Sequence, residues 1–490
     1  MKKKILGVIL VVFILTAIFP ASVYASGITV KEIASGLEYD WVEDFRDGLA
    51  LALKNGKVGC IDKTGKLVIS CVYNEILNFS DGLARVEING KYNYIDKSGK
   101  ILSADNYDSA GSFSDGMAWV RIGDKYGYIN KSGDIVIPID YDCYFEDGSS
   151  YAIIPDFSEG LAAISINGKC GFIDKTGKLV IPAEYHGNFW RGEWTDYIPM
   201  FNDGLARVLK DIENDIYNGY GYGYINKAGE IVVPFEYRGL GHNRTGAFCG
   251  GLAKAYPYPN GQAGFIDQNG NIVAPFIYDT VSDFNGTLAY VQNYADNQKG
   301  AYIDRTGKVV TPFEYEADGW SMHYYWKSSE GITVAKRDGR MGCLDEKGNI
   351  AVPFEFDTIT PFSDGLAYVT SGANNHGYVD KTGKFIVKYG DFTYMANSFS
   401  SGLAWVEKSG KYGYIDTTGE LVVPCVYDEV KDFKESLAVA RKGDKWAILE
   451  IENGVSPQTG DLAGIILLLG ICSIINLTGF KKTKKKRKFL

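Results

Sequence analysis

The sequence predicts an all-β chain: a tandem array of about ten 34-residue, three-stranded β-meander repeats, open superhelical or propeller-like, followed by a C-terminal transmembrane helix. Three observations predict it. One unit, opening on Phe and then Gly-Leu-Ala, recurs along the chain; tight-turn pairs punctuate every unit; and the runs between turns alternate apolar with polar residues. Of 490 residues, 46% are hydrophobic and 14% aromatic, with 58 Gly, 34 Tyr and only 4 His. That balance supplies a large core in water and excludes a disordered, collagenous or polytopic membrane chain.

Residues 1–25 read as a secretory signal peptide. Lys2, Lys3 and Lys4 form a basic start, Ile5 to Phe19 an apolar run, and Val23-Tyr24-Ala25 a small-residue cleavage site. The run is slightly short for a membrane span of about 20 residues, so cleavage after Ala25 is expected. A lead-in, residues 26–40, joins the repeat domain, residues 41–450.

The unit first reads Phe45-Arg-Asp-Gly48-Leu-Ala50, then Asn55-Gly56-Lys57, then Gly59-x-Ile61-Asp62-Lys-Thr-Gly65-Lys66. It returns at Phe79, Phe113, Phe157, Phe201, Phe248, Phe284, Phe362, Phe399 and, truncated, Phe433; a copy near Glu330-Gly331 lacks the opening Phe. The shortest spacing is 34 residues, as between Phe45 and Phe79, and longer spacings come from insertions. Asn55-Gly56, Asn89-Gly90 and Asn167-Gly168 predict two-residue hairpins whose central residues need positive φ. Asp62-Lys-Thr-Gly65 and Asp174-Lys-Thr-Gly177 predict a second turn, with Asp bonding its own backbone and Gly in the left-handed position. Two turns make three strands. In the second copy these span roughly residues 84–88, 91–96 and 100–103, and Ala84, Val86 and Ile88 alternate with Arg85 and Glu87 to give one dry face.

The middle strand carries aromatic-Gly-aromatic-Ile, as in Tyr126-Gly127-Tyr128-Ile129. Gly inside a strand weakens it unless something needs the space, so each is expected to lie under an aromatic ring. Pro182 and Pro234, near the end of the third strand, are expected to end the ladder and begin the return to the next unit. Some thirty strands cannot form one flat sheet, because strands twist, so the units must pack as separate small sheets. Blades of a propeller usually need four strands and about 40 residues, and a 34-residue unit therefore leans to the open form.

These units resemble the WG-repeat (KWG) family of bacterial proteins, whose repeats read Gly-Leu-Ala, then Lys-Trp-Gly-x-Ile-Asp, then Gly-Lys and Pro. The resemblance covers residues 41 to 450. The named Trp is mostly Tyr here; Trp446-Ala447 keeps the ring and loses the Gly, and Asn93 and Ala301 also replace it. It implies a β-rich repeat domain with no established common activity.

The linker, residues 451–461, contains Ser456-Pro457-Gln458-Thr459-Gly460 and is followed by an apolar span, residues 462–480, and a basic tail, residues 481–490. At about 1.5 Å per residue the span just crosses a hydrocarbon core, and the positive-inside rule places the tail in the cytoplasm. This three-part order resembles a sortase sorting signal of Gram-positive bacteria. It implies that sortase attacks the Thr459 carbonyl, releases Gly460 onward and joins Thr459 covalently to peptidoglycan; Ser456, where Leu is usual, implies a different sortase subclass. The expected location is extracellular, at the cell wall or cell surface, membrane-anchored before sorting. Of 51 Lys and Arg, three leave with the signal and seven with the tail; of 60 Asp and Glu only Asp461 is lost, so 41 cations face 59 anions and the mature charge is near −18. So acidic a chain is not expected to bind nucleic acid.

No chemistry is expected in the repeated slots. Asp62, Asp96, Asp174, Asp267, Asp304, Asp345, Asp380 and Asp416 stand one per turn, without the dense oxygen spacing of a calcium loop, and read as turn residues. Asp211-Ile-Glu213-Asn214-Asp215 reads as a solvated acidic loop rather than a calcium site. Seven Cys remain outside the apolar span, with no Cys-x-x-Cys, and read as buried free thiols. His186, His242, His323 and His376 are scattered, and no Gly-x-Ser-x-Gly elbow occurs. Neither an enzyme activity nor a metal or cofactor is therefore expected. The candidate ligand-binding aromatics lie in two insertions: Trp190, Trp194 and Tyr197, and Trp320, Tyr324, Tyr325 and Trp326. Exposed rings beside Asp and Arg can stack on sugars or hold a protein ligand, and alternatively they cover gaps between units. The reading is a wall-anchored, non-catalytic binding or adhesion platform for a glycan or protein; a structural spacer or surface coat, and a cell-wall-modifying enzyme, are the alternatives.

Overall fold

The structure is a computed structural model that describes residues 27–145, 152–187, 198–211, 220–238, 246, 248–257, 261–284, 286–294, 299–317, 328–372, 375–388, 390, 392 and 398–453. The signal peptide, the sorting motif and the apolar C-terminal span lie outside these residues. Among the described residues no helix is long and apolar enough to cross a membrane.

Eleven antiparallel sheets of three or four strands follow one another as the blades of a propeller. In the third blade the first strand, Met117–Ile122, pairs with the middle strand, Lys125–Asn130, which pairs with the outer strand, Ile135–Asp142. A two-residue lead strand, Ser109–Ala110, joins the far edge of the first strand, so several blades gain a fourth strand beyond the expected three. The hairpins form as expected: Asn55 and Gly56 both have positive φ, at 54° and 72°, as do Asn167 and Gly168, at 51° and 74°. The second turn closes on its own Asp. Asp174 Oδ1 accepts the backbone N–H groups of Thr176 at 2.9 Å and Lys178 at 3.1 Å and the Thr176 hydroxyl at 2.6 Å.

The middle-strand Gly serves a different neighbour from the one expected. A Cβ on Gly171 or Gly223 would lie 2.7 or 2.8 Å from a carbonyl oxygen of the outer strand, at Ile181 and Val233, and at Gly59, Gly127 and Gly413 the carbonyl stands closer still. Aromatic rings add to the contact at Gly223, Gly264 and Gly342. The cause is a bulge. Tyr126 and Tyr128, two apart, pair with Tyr141 and Ile137, four apart, so the surplus outer-strand backbone bends down over Gly127. Pro182 and Pro234, expected to end the ladder, sit in the same bulge inside the outer strands Leu179–His186 and Ile231–Arg238, as Pro138 does in Ile135–Asp142, and do not end them, because an outer strand has no further neighbour to receive the missing N–H. Where Asn93 replaces the Gly, the bulged strand is absent too. In the second blade the expected third strand is reduced to isolated bridges at Ile101 and Tyr107, and the Asn93 amide donates to Ser103 O at 2.9 Å and Asp105 O at 2.8 Å.

Each blade locks onto the next through rings. The second aromatic of the middle strand meets the following blade's opening Phe edge-on: Tyr94 with Phe113 and Tyr128 with Phe157 at 4.9 Å, Tyr378 with Phe399 and Tyr414 with Phe433 at 4.8 Å. The tyrosine hydroxyls then cross to the next blade's backbone, Tyr94 to Gly111 O at 2.6 Å and Tyr128 to Pro155 O at 2.7 Å. At the outer rim the first residue of most outer strands stays exposed, from 42% at Leu67 to 61% at Ile272, while Phe385 is half-buried.

The ring is closed, against the lean to an open array. The last blade has no outer strand of its own; Thr29–Leu37, from the lead-in, pairs antiparallel with Lys445–Asn453 and supplies it. Across the seam Trp41 meets Trp446 edge-on at 5.6 Å, and the Glu435 carboxylate accepts the backbone N–H groups of Asp47 at 2.7 Å and Gly48 at 2.9 Å. A two-residue lead strand and a borrowed strand thus let units shorter than an ordinary blade close. Deleting residues 27–37 uncovers Trp446, so urea unfolding should show a loss of at least about 3 kcal/mol, the cost of uncovering one large core ring, with a red shift in tryptophan emission. An unchanged midpoint would contradict closure by this strand.

Candidate functional site: the hairpin face

Successive strands are antiparallel, so the two ends of every blade differ. At one end lie the opening Phe-x-Asp-Gly turn and the Asp-Lys-Thr-Gly turn. At the other lie the hairpin between first and middle strands and the exit of the outer strand toward the next unit.

The turn end consumes its own polar groups. Asp81 Oδ2 accepts the N–H of Gly116, one blade on, at 2.7 Å; Asp115 does the same for Gly160, Asp364 for Gly402 and Glu330 for Gly365. Ser80 Oγ donates to Phe113 O and Ser363 Oγ to Phe399 O, both at 2.6 Å. Lys175 reaches back to Asp115 at 2.7 Å, and Lys227 to Glu159 at 3.0 Å. The acids at these corners sit at positive φ, 53° at both Asp81 and Asp115, so a latch of strained corners runs from blade to blade. The repeated Asp of the second turn is equally occupied. The Ser98 hydroxyl, then the N–H groups of Lys100 and Ser98, hold the Asp96 carboxyl below the usual carboxylate range, and Asp174 is held low by Thr176 in the same way. Among the described residues no three His, Cys, Asp or Glu side chains converge on a point where an ion could sit.

The hairpin end is built on a pair seventeen residues apart, a cation opening the middle strand and an acid closing the outer one: Lys91 with Asp108, Lys125 with Asp142, Arg340 with Asp357, Lys411 with Asp428. The acid's second oxygen takes a backbone N–H from the next blade's hairpin, Gly123 for Asp108, Gly372 for Asp357 and Gly443 for Asp428. The Gly123 N–H, then Lys91, lower the Asp108 pKa; Lys411, then the Gly443 N–H, lower that of Asp428. In the seventh blade Glu316 replaces Asp and its longer arm still reaches Gly339 N–H at 3.0 Å; burial raises its carboxyl, but Lys299, Gly339 and Lys336 outweigh that and lower it. In the fourth blade His186 stands opposite Lys169 in this slot, and in the fifth Arg238 follows Tyr237; both precede lengthened connections.

Every insertion that lengthens a unit is flanked by described residues of this hairpin end. The connections after Asp142, His186, Arg238, Glu316 and Lys388 follow outer-strand exits, and the hairpins after Asp211, Pro257, Tyr294 and Gly372 join first to middle strands. All seven candidate ligand-binding aromatics, Trp190, Trp194, Tyr197, Trp320, Tyr324, Tyr325 and Trp326, lie outside the described residues, but both insertions that hold them are anchored on this face. Most of the acidic loop after Asp211, with His242 and His323, also lies outside. Two groups went unread in the sequence. Tyr294 is 62% exposed, with its hydroxyl 3.0 Å from Thr280 Oγ1 and its N–H on Asp279 Oδ2 at 2.6 Å. The Tyr368 hydroxyl meets His376 Nδ1 at 2.7 Å. Tyr294 could have been found as an aromatic beginning a hairpin that has lost its Asn-Gly; Tyr368 carried no comparable signal.

The seven described cysteines are free. Cys60, Cys170 and Cys343 are buried, while Cys249 is exposed, unlike the buried thiols expected. Burial pushes Cys60 and Cys343 up to about 12, so both stay protonated at neutral pH and are poor nucleophiles.

Comparison with known families matches the family described as WG containing repeat at residues 31–57, 59–92, 94–126, 126–170, 171–187, 222–246, 264–294, 301–317, 341–372, 377–412 and 412–446. No curated protein matches. Among solved structures, a crystal structure of the eukaryotic initiation factor is similar at 13% identity over 81% of this chain and 95% of that one, with a TM-score of 0.34. Apo AztD from Citrobacter koseri is similar at 11% identity over 73% and 93%, with a TM-score of 0.24.

Two outcomes test the latches. Asp115→Ala removes the acceptor for Gly160 and puts a Cβ residue without polar atoms at positive φ; it should cost about 1–3 kcal/mol in urea unfolding. Asp115→Asn, which tolerates that backbone and keeps an acceptor, should cost less than about 1 kcal/mol. Second, the lowered carboxyls of Asp96, Asp108, Asp115, Asp174, Glu316 and Asp428 add stability above the unfolded value of about 3.9 and lose it as pH falls through the folded value, outnumbering Asp364, which burial raises. The melting temperature followed by circular dichroism should stay level from about pH 7 to 5 and fall below about pH 4; a rise there would show that the latches contribute nothing.

Proposed function

The chain belongs to the WG containing repeat family, and on that premise we propose that it is an exported, sortase-anchored cell-wall protein whose hairpin face is a non-catalytic platform for a glycan or protein ligand. The observation that carries this reading is the asymmetry of the ring. Turns at one end keep one length and satisfy most of their own polar groups, whereas every insertion, the two aromatic ones included, is anchored at the other. Repeat arrays place variable segments on the face that binds, because the scaffold tolerates change there without loss of core. The signal peptide, the sorting motif at Ser456 to Gly460 and the apolar span support export and anchoring. A structural spacer is the second reading, favoured by the internal pairing of the regular polar slots.

Purified residues 26–455 presented to isolated peptidoglycan, wall polysaccharide, a glycan array and matrix proteins should show saturable, competable binding to one of them. Replacing Trp190, Trp194, Trp320 and Trp326 together by Ala should weaken that binding at least about tenfold, the scale of losing stacked aromatic anchors, with the melting temperature unchanged. Binding to none of the four supports the spacer. A large fall in melting temperature would make these rings gap-fillers, and release of soluble wall fragments would show an enzyme.

A further inference from the structure

Both ends of the ring leave from the same face, and it is not the face that carries the insertions. The last strand follows the hairpin at Gly443-Asp444 and runs away from it, so Asn453 lies at the turn end, paired with Thr29. Glu450 occupies the position of the turn acids Asp62 and Asp96; it accepts from Lys63 of the first blade's turn at 2.9 Å, and Ile451 N–H bonds Ser436 O at 2.9 Å in the turn beside it. The strand pair then continues three residues past Glu450 on that side.

From Asn453 to Thr459 is six residues, a reach of at most about 20 Å even when fully extended. A six-residue blade strand is itself about 20 Å tall. A tether of that length cannot pass around a blade and let the ring lie on its hairpin face. Resting on the anchoring reading above, we infer that the ring stands on the wall by its turn face and presents its hairpin face outward to the medium.

Bulky maleimide labelling of the full chain on its own cells tests the orientation. In a Cys249→Ser background, single cysteines replace Asp124 or Asp444 at hairpin tips and Lys131 or Lys347 at turn tips, all exposed positions. Rates are compared before and after the protein is released by wall digestion, with the background protein's rate subtracted. The hairpin cysteines should label equally in both states and the turn cysteines at least tenfold more slowly on the cell. Turn cysteines that label equally before and after release, or hairpin cysteines that are the slower pair on the cell, overturn the orientation. The premise is read separately: Thr459→Ala should move the chain out of the wall fraction, and a chain that stays there unchanged removes the anchoring reading and this inference with it.

Discussion

A three-stranded sheet cannot cover both of its faces by itself, and the edge-to-face meeting of each middle-strand aromatic with the next blade's opening Phe is what covers them here. Each such pair adds about 0.5–1.5 kcal/mol beyond the area it buries, and the tyrosine hydroxyl directs the contact by finding a carbonyl on the neighbour. The contact explains why the unit opens on Phe. It also explains the exceptions: Cys60 and Cys343 stand in the ring's slot, and where Ser328 replaces Phe, Tyr302 packs edge-on against Tyr290 and Tyr315 instead.

Because every blade depends on a neighbour, an open row would leave two uncovered faces, which linear arrays must cap. Closure removes the need. The lead-in strand Thr29–Leu37 completes the last blade, and Glu435 repeats across the seam the same acid-to-backbone latch that Asp81 and Asp115 make within the row. The two ends of the blades then divide. The turn end takes its strength from short-range bonds that tolerate no extra residue, while the hairpin end accepts longer loops because its strands have already paired before the chain leaves them.

Legibility in the sequence followed the range of the interaction. Asn-Gly hairpins and the Asp of each second turn could be read because a residue bonds its own backbone within four positions. The sequence shows that the middle-strand Gly needs space but not what fills it: the carbonyl that presses on Gly127 belongs to a bulge ten residues on, and no periodicity shows a bulge. Pro182 and Pro234 continue their strands for a reason equally hidden, since only the position of those strands at the rim excuses the missing donor. Asn93 departs visibly from the pattern, yet its amide bonds to Ser103 and Asp105 exist only once that loop has folded over it.

By itself the sequence determined the repeat, its turns, its three principal strands and the alternation that makes one side of each dry, because these rest on local backbone preference and side-chain period. The tertiary structure alone decided that the row closes, that eleven blades complete the ring, and that both chain ends leave opposite the insertions. Those outcomes depend on the angle each blade adopts on its neighbour and on a strand pairing between residues more than four hundred positions apart, neither of which leaves a mark in any single unit.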